Sequence, residues 1–287
     1  MNILINNAKK IRLFSLATAV CLGTATSGLA LEFNKGDHVV LIGNALAERM
    51  QHHGWLESYI QATTAEKELV FRNHGFGGDK VNNRPRNNGF PSADASLEIS
   101  KADVILAFWG YNESFDNSPD AYRADLAKWI DETKGKKYNG KGAPRIVLLS
   151  PIAHENLGQA NLPDGSANNE RLAKYTDATR QVANEKGVEF VDLFNLSQDL
   201  YKRSKLPLTI NGIHLTSRGN NQLARGIHKN LFGKSPRASG RKLARIRDAV
   251  LDKNWHWYNR YRATDGNDVW GGRSGLSFVN KQTNRVV

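Results

Sequence analysis

The chain of 287 residues has a single cysteine, Cys21, and it falls within the first thirty. Lys9, Lys10 and Arg12 open that stretch, Leu13 to Leu22 is a short apolar run, and Gly28-Leu29-Ala30 offers small residues for cleavage. This pattern predicts a signal peptide over residues 1–30, too short to serve as a stable membrane anchor. Val20 is too bulky to precede a lipidated cysteine, so no lipid anchor is expected. After cleavage, residues 31–287 contain no thiol. That excludes a disulfide, a thiolate metal site and a haem attachment. No later apolar run is long enough to span a membrane. The expectation is an exported protein, periplasmic or extracellular, with no transmembrane anchor and enough chain to bury a substantial core.

Other signals are missing too. There is no His-Glu-x-x-His and no paired-cysteine pattern, so no structural metal is expected. The glycines at 75, 77 and 78 do not have dinucleotide-binding spacing, and no Walker motif occurs, so no cofactor is expected. Acidic residues are outnumbered, 28 Asp and Glu against 40 Lys and Arg, a net charge of +12. The excess is unevenly placed. Residues 1–30 hold three basic groups, and residues 234–287 hold twelve Lys and Arg against four Asp. Residues 31–233 are then nearly neutral, at about +1. The division expected is a main domain over 31–233 and a basic, aromatic-rich C-terminal extension over 234–287.

That extension carries Trp255-His256-Trp257-Tyr258, Tyr261 and Trp270 among Arg260, Arg262 and Arg273. Such a segment can stack on sugars or bases and meet acidic polymers. Its plainer reading is a solvated basic helix whose rings pack onto the domain. The near-neutral main domain and the export signal argue against nucleic acid as a partner and favour glycans.

Strand-like runs alternate with helix-like runs. Strands are predicted at 38–43, 69–73, 104–109, 145–150 and 188–193, and helices at 45–53, 119–133, 169–186 and 217–231. The runs at 104–108 and 146–149 are apolar throughout, as in a parallel sheet buried on both faces. Alternating βα units predict a three-layer α/β/α domain with about five parallel strands. In such sheets the ligand site lies at the carboxyl ends of the strands. The first strand end carries Gly43-Asn44-Ala45, and the second Asn73-His74-Gly75-Phe76-Gly77-Gly78-Asp79. The third carries Gly110-Tyr111-Asn112-Glu113, and Asn211-Gly212-Ile213-His214 precedes the last of these helices. Residues 79–98, rich in Asn, Pro, Gly and Arg, read as a long surface loop of a functional kind.

These four blocks, in this order over about residues 37–232, resemble those of the SGNH/GDSL hydrolases, esterases of flavodoxin-like topology. The resemblance implies a role for each block. Ala45 stands where the family has its nucleophilic serine. Gly78 supplies a backbone N–H and Asn112 a side-chain amide to the oxyanion hole. His214 is the base, and Asn211 stands where the family has the triad's acid. The runs from Gly43 to Arg49 and from Lys253 to Arg262 are similar to a secreted bacterial subgroup in which the first block commonly departs from Gly-Asp-Ser. Some members of that subgroup carry c-type haem domains, for which this chain has no Cys-x-x-Cys-His.

The two departures bear directly on chemistry. Ala45 has no hydroxyl to attack an ester. Asn211 is neutral, and a carboxylate-to-amide change at that role costs about 10⁴ in turnover in a serine protease. Three readings follow. A water activated by His214 and helped by a nonlocal carboxylate replaces the serine, or the pocket binds an acylated glycan or other ester without turnover, or Ser114 or Ser92 supplies the nucleophile. Asn44, His74 and His154, all beside strand ends, are the expected substrate contacts, with packing as the alternative for His74. His52-His53, at a helix end, is read as surface.

Overall fold

The computed structural model describes residues 31–86, 90–116, 118–237 and 239–261, and two short strands, Val279–Asn280 and Arg285–Val286, paired antiparallel. The expected signal peptide lies outside these residues, as do Arg262, Trp270 and Arg273. For Arg260 and Tyr261 only the backbone is described.

Five strands form one sheet: β1 (His38–Gly43), β2 (Val70–Asn73), β3 (Val104–Phe108), β4 (Arg145–Leu149) and β5 (Glu189–Val191). Their order is β2-β1-β3-β4-β5, and every pairing is parallel. This is the doubly wound order, with its switch point between β1 and β3. Side chains alternate across a strand, so each strand feeds two cores. Val39, Leu41, Val104, Leu106 and Val147 face one way and meet Met50 of α1 (Ala45–His53), Tyr59 and Ile60 of α2 (Trp55–Thr63) and Ile227 of α7 (Ser217–Phe232). Val40, Ile42, Ile105, Ala107 and Leu148 face the other way. They meet Leu97 of α3 (Ala93–Ile99), Leu126 and Ile130 of α4 (Pro119–Lys134) and Tyr175 and Val182 of α5 (Ser166–Lys186). The expected three-layer α/β/α domain with five parallel strands is the one observed.

Differences from the expected elements have local causes. Gly54 is the left-handed cap that ends α1 and also the first residue outside α2, so a second helix follows with no intervening loop. The region 79–98 is not loop throughout, because Ser92 accepts from the Ala95 N–H and starts α3. The last strand stops at Val191, since Asp192 caps α6 (Leu193–Arg203) by accepting from the Asn195 N–H.

A final helix, α8 (Gly240–Tyr261), packs on α1 and α2 beside β2. Its polar anchors are specific. Lys253 donates to both carboxylate oxygens of Glu57 at 2.8 Å, Asn254 to the Gln51 carbonyl and the Trp257 indole to the Asn73 carbonyl. Trp257 also lies under the Arg72 guanidinium and edge-on to His74. Two of the four aromatic side chains in the 255–258 run therefore pack, Trp257 here and Tyr258 against His52, while Trp255 is exposed. Among the described residues no helix is long and apolar enough to cross a membrane. Burial pushes the Glu57 carboxyl up and the Lys253 amine down, so each charge relies on the other. Lys253→Ala leaves Glu57 buried without its counter-ion and should destabilise the fold by about 3 kcal/mol, read as a lower urea midpoint. Glu57→Gln together with Lys253→Met should recover most of that loss.

Candidate active site

The site starts at the switch point. Gly43 ends β1 at φ +127°, and a Cβ there would lie 2.3 Å from the Phe108 carbonyl oxygen. Asn44 then caps α1 by accepting from the Leu46 N–H, and its own N–H reaches the Phe108 carbonyl. Ala45 is thus the first residue of α1, presented at the carboxyl end of the sheet. A narrow pocket of about 40 Å³ opens there, lined by Asn44, Ala45, Arg49, Tyr111, Ser150, Ile213 and His214 among apolar walls that include Phe108, Trp109 and Ile152. That is room for a few waters or a short acyl group.

His214 reaches this pocket from a loop of unusual construction. Thr209 and Leu215 form an isolated bridge, and the Ile210 N–H donates to the His214 carbonyl. The Asn211 Oδ1 accepts from the Ile213 and His214 N–H groups at 3.3 and 2.9 Å. The same amide faces the imidazole, with Oδ1 3.2 Å and Nδ2 3.1 Å from Nδ1. The tautomer with Nδ1–H donating to Oδ1 has a bare Nε2, the form a general base needs, whereas Nδ2 donating to Nδ1 puts the proton on Nε2. The His214 pKa is lowered by burial first and by the Arg49 charge second, both of which favour the neutral ring.

Glu155 holds the loop in place. Its carboxylate is buried and accepts from the Leu208 N–H, the Thr209 N–H and the Thr209 hydroxyl, at 2.7–3.0 Å. The Glu155 N–H in turn donates to the Gly212 carbonyl. His154 packs edge-tight against Gly212, where a Cβ would come within 2.2 Å of Nε2, and its Nδ1 meets the Asn168 amide. His154 thus lies behind the His214 loop and also borders a second, open groove with Glu155, Asn169 and Tyr201.

The other two blocks are stitched to the first. The Phe76 N–H donates to the Gly43 carbonyl and the Gly77 N–H to the Glu48 carboxylate. Gly78 is exposed, and its N–H meets no acceptor among the described residues. Asn112 donates one amide hydrogen to the Asp79 carbonyl at 2.8 Å, which leaves its other hydrogen for a ligand. Glu113, buried, accepts from the Val81 and Gly110 N–H groups, clasping the second block to the third. Burial raises its pKa.

Of the sequence-predicted residues, Asn44, Ala45 and His214 share the pocket lining, with Asn211 on the far side of the imidazole. Gly78 and Asn112 sit on the neighbouring loops, outside that lining. The His74 ring lies between the Ser100 hydroxyl and Trp257, away from the pocket. Ser92 caps α3, and Ser114 is fully buried with its hydroxyl given to the Tyr111 carbonyl. The serine in the lining, Ser150, is also committed, donating to Pro151 and accepting from Leu193 and Phe194. Arg49, Glu113 and Glu155 are site residues that the sequence reading assigned no role. The signal for Arg49 was its place one helical turn after Ala45, on the same face of α1.

The chain belongs to the GDSL-like lipase/acylhydrolase family, whose model matches residues 42–222. Comparison with the curated protein sequences gave no match. Among solved structures it is similar to Axe2, an acetylxylan esterase from Geobacillus stearothermophilus, with a TM-score of 0.54 and 18% identity over 73% of this chain and 100% of that one. A catalytic mutant of Axe2 with serine replaced by alanine gives a TM-score of 0.54 at 19% identity, with the same coverage. Further catalytic mutants of Axe2 replace an aspartate and a histidine three positions beyond it. BT4096, a gut microbial diltiazem-metabolizing enzyme, gives a TM-score of 0.53 at 19% identity over 70% of this chain. The match spans 48% of BT4096, about half its length. At these identities the likeness is one of fold.

Glu155→Ala strips an acceptor from three buried donors and should cost about 2–4 kcal/mol. Hydrogen exchange should show the loss concentrated at the Thr209 and Ile210 amides, with the sheet amides far less affected.

Proposed function

We propose that the protein hydrolyses acyl esters of carbohydrate or other extracellular material, with water as the nucleophile. The observation that carries this reading is the shared pocket of Ala45 and His214, with Asn211 fixing the far side of the imidazole. The missing serine hydroxyl leaves space beside Ala45 for a water. His214 Nε2 takes a proton from that water as its oxygen attacks the acyl carbon. The Gly78 N–H and the free Asn112 amide hydrogen receive the oxyanion. Collapse breaks the bond to the alkoxide, which recovers the proton from His214. The acid product carries the acyl group away, and no acyl-enzyme forms. Asn44 lines the approach, while His74 and His154 act as supports for the loops. This route lacks the covalent step of a serine esterase, so its rates are low.

The spacing of Asn211 and His214 supports the reading, since Axe2 catalytic mutants alter an aspartate and a histidine at the same interval. Export rests on the pattern of residues 1–30, and contact with acidic polymers on the charge of residues 234–287. Neither a metal nor a cofactor enters the reaction as drawn.

A second reading rests on Ala45 itself. With no nucleophile, the same pocket binds an acylated glycan and releases it unchanged. Hydrolysis of short aryl esters separates the two. Turnover in the parent that falls about 10²–10⁴-fold in His214→Ala establishes the water route. A silent parent, with turnover appearing in Ala45→Ser or in Ala45→Ser with Asn211→Asp, establishes the binding protein.

The pH dependence has a defined sign. The neutral imidazole is the active form, and its pKa lies below the ordinary 6.5. Activity should therefore rise with pH through a midpoint below 6.5 and be level at neutral pH. Asn211→Asp adds a carboxylate beside Nδ1 and should move that midpoint upward.

A further inference from the structure

Arg49 is the one half-buried arginine of the pocket lining, and it has no ion pair or hydrogen bond among the described residues. The other half-buried arginines are matched, as three of them show. Arg86 forms a two-pronged pair with Asp79, Arg145 pairs with Asp37, and Arg247 lies over the Trp55 ring. The Arg49 Nε is buried without a partner. A guanidinium presents five N–H donors in a fixed planar fork and has no acceptor of its own. It lines the pocket together with the apolar side chains of Phe108, Trp109 and Ile152, where a buried donor gains from an acceptor brought by a ligand.

The position of Arg49 is as telling as its isolation. It lies one helical turn beyond Ala45, and its charge is felt at His214. Its planar fork suits two oxygens of one small anion, which the free volume admits. We propose that this pocket recognises a carboxylate on the ligand, bound by Arg49 beside the ester to be cleaved. The proposal rests on the esterase reading for where the ester lies, while the anion binding itself needs no turnover. It makes the substrate class esters that carry an acidic group near the scissile bond, such as acylated acidic sugars. A neutral acetylated sugar would leave the guanidinium unmatched.

The test titrates the full chain with sodium acetate at constant ionic strength, following the His214 ring protons by NMR. Parallel titrations use Arg49→Gln and Arg49→Lys, and a sulfate series separates carboxylate from a general oxyanion. The expected result is saturable acetate binding, weakened about tenfold or more in Arg49→Gln and less in Arg49→Lys, which keeps the charge without the fork. If Arg49→Gln does not fold, the drop in Arg49→Lys carries the comparison. Tighter sulfate than acetate binding overturns the carboxylate assignment. No saturable acetate binding in the parent, or equal binding in the folded variants, overturns the site. Aryl hemisuccinate and aryl acetate esters supply the second arm. Preference for the hemisuccinate that disappears in Arg49→Gln and is reduced in Arg49→Lys supports the substrate class, and equal rates of the parent on both esters overturn it. Arg49-dependent acetate binding with no turnover of either ester would leave the anion site standing and remove the esterase reading.

Discussion

At the centre of the sheet the Gly43 α-carbon lies so close to the Phe108 carbonyl that no side chain fits between them. This contact sets where β1 stops and where α1 begins. Asn44 can cap the helix while its own N–H reaches Phe108 because the two strand ends are that close. The pocket floor is then fixed by backbone, and Ala45, Arg49 and the adjoining walls follow from the pitch of one helix. A larger residue at 43 would push α1 off the strand end and separate Ala45 from the His214 loop.

Buried carboxylates hold the loops around that floor. Glu113 binds N–H groups from two blocks, and Glu155 binds three donors at the base of the histidine loop. An ionised carboxylate accepts several hydrogen bonds at once, so one side chain can order a segment with no regular structure. The site therefore has acidic side chains beneath its loops and an amide, Asn211, against its imidazole. The unpaired positive charge within the lining is Arg49, and the local field favours a neutral His214.

Much of this was legible in the sequence. The apolar runs at 104–108 and 146–149 gave a two-sided buried sheet, and Gly43-Asn44 marked the strand-to-helix turn correctly. Ala45 and His214 could be placed because each stands beside a backbone signal. The elements that escaped were those whose boundaries are single residues. One glycine, Gly54, separates α1 from α2, and an apolar run that continues past Val191 hides the Asp192 cap. Arg49 and Glu155 escaped for a different reason. A charged residue on a helix or after a strand reads as solvated surface, and only three-dimensional burial shows otherwise. His74 reads as a ligand contact by position, yet its neighbours are Ser100 and a tryptophan nearly two hundred residues along the chain.

The docking of α8 has a consequence for how the molecule is made. Lys253 and Glu57 are 196 positions apart, and the Trp257 indole closes on a carbonyl of the edge strand β2. Contacts of such long range form late, because the chain between them must be ordered first. During synthesis the helices α1 and α2 emerge early and must wait, with part of their buried face uncovered, until residues beyond 240 follow. A chain shortened before that point would keep all four blocks and still leave the β2 edge and a buried carboxylate open to water. Docking of α8 thus acts as a built-in completion check on the architecture begun by β1.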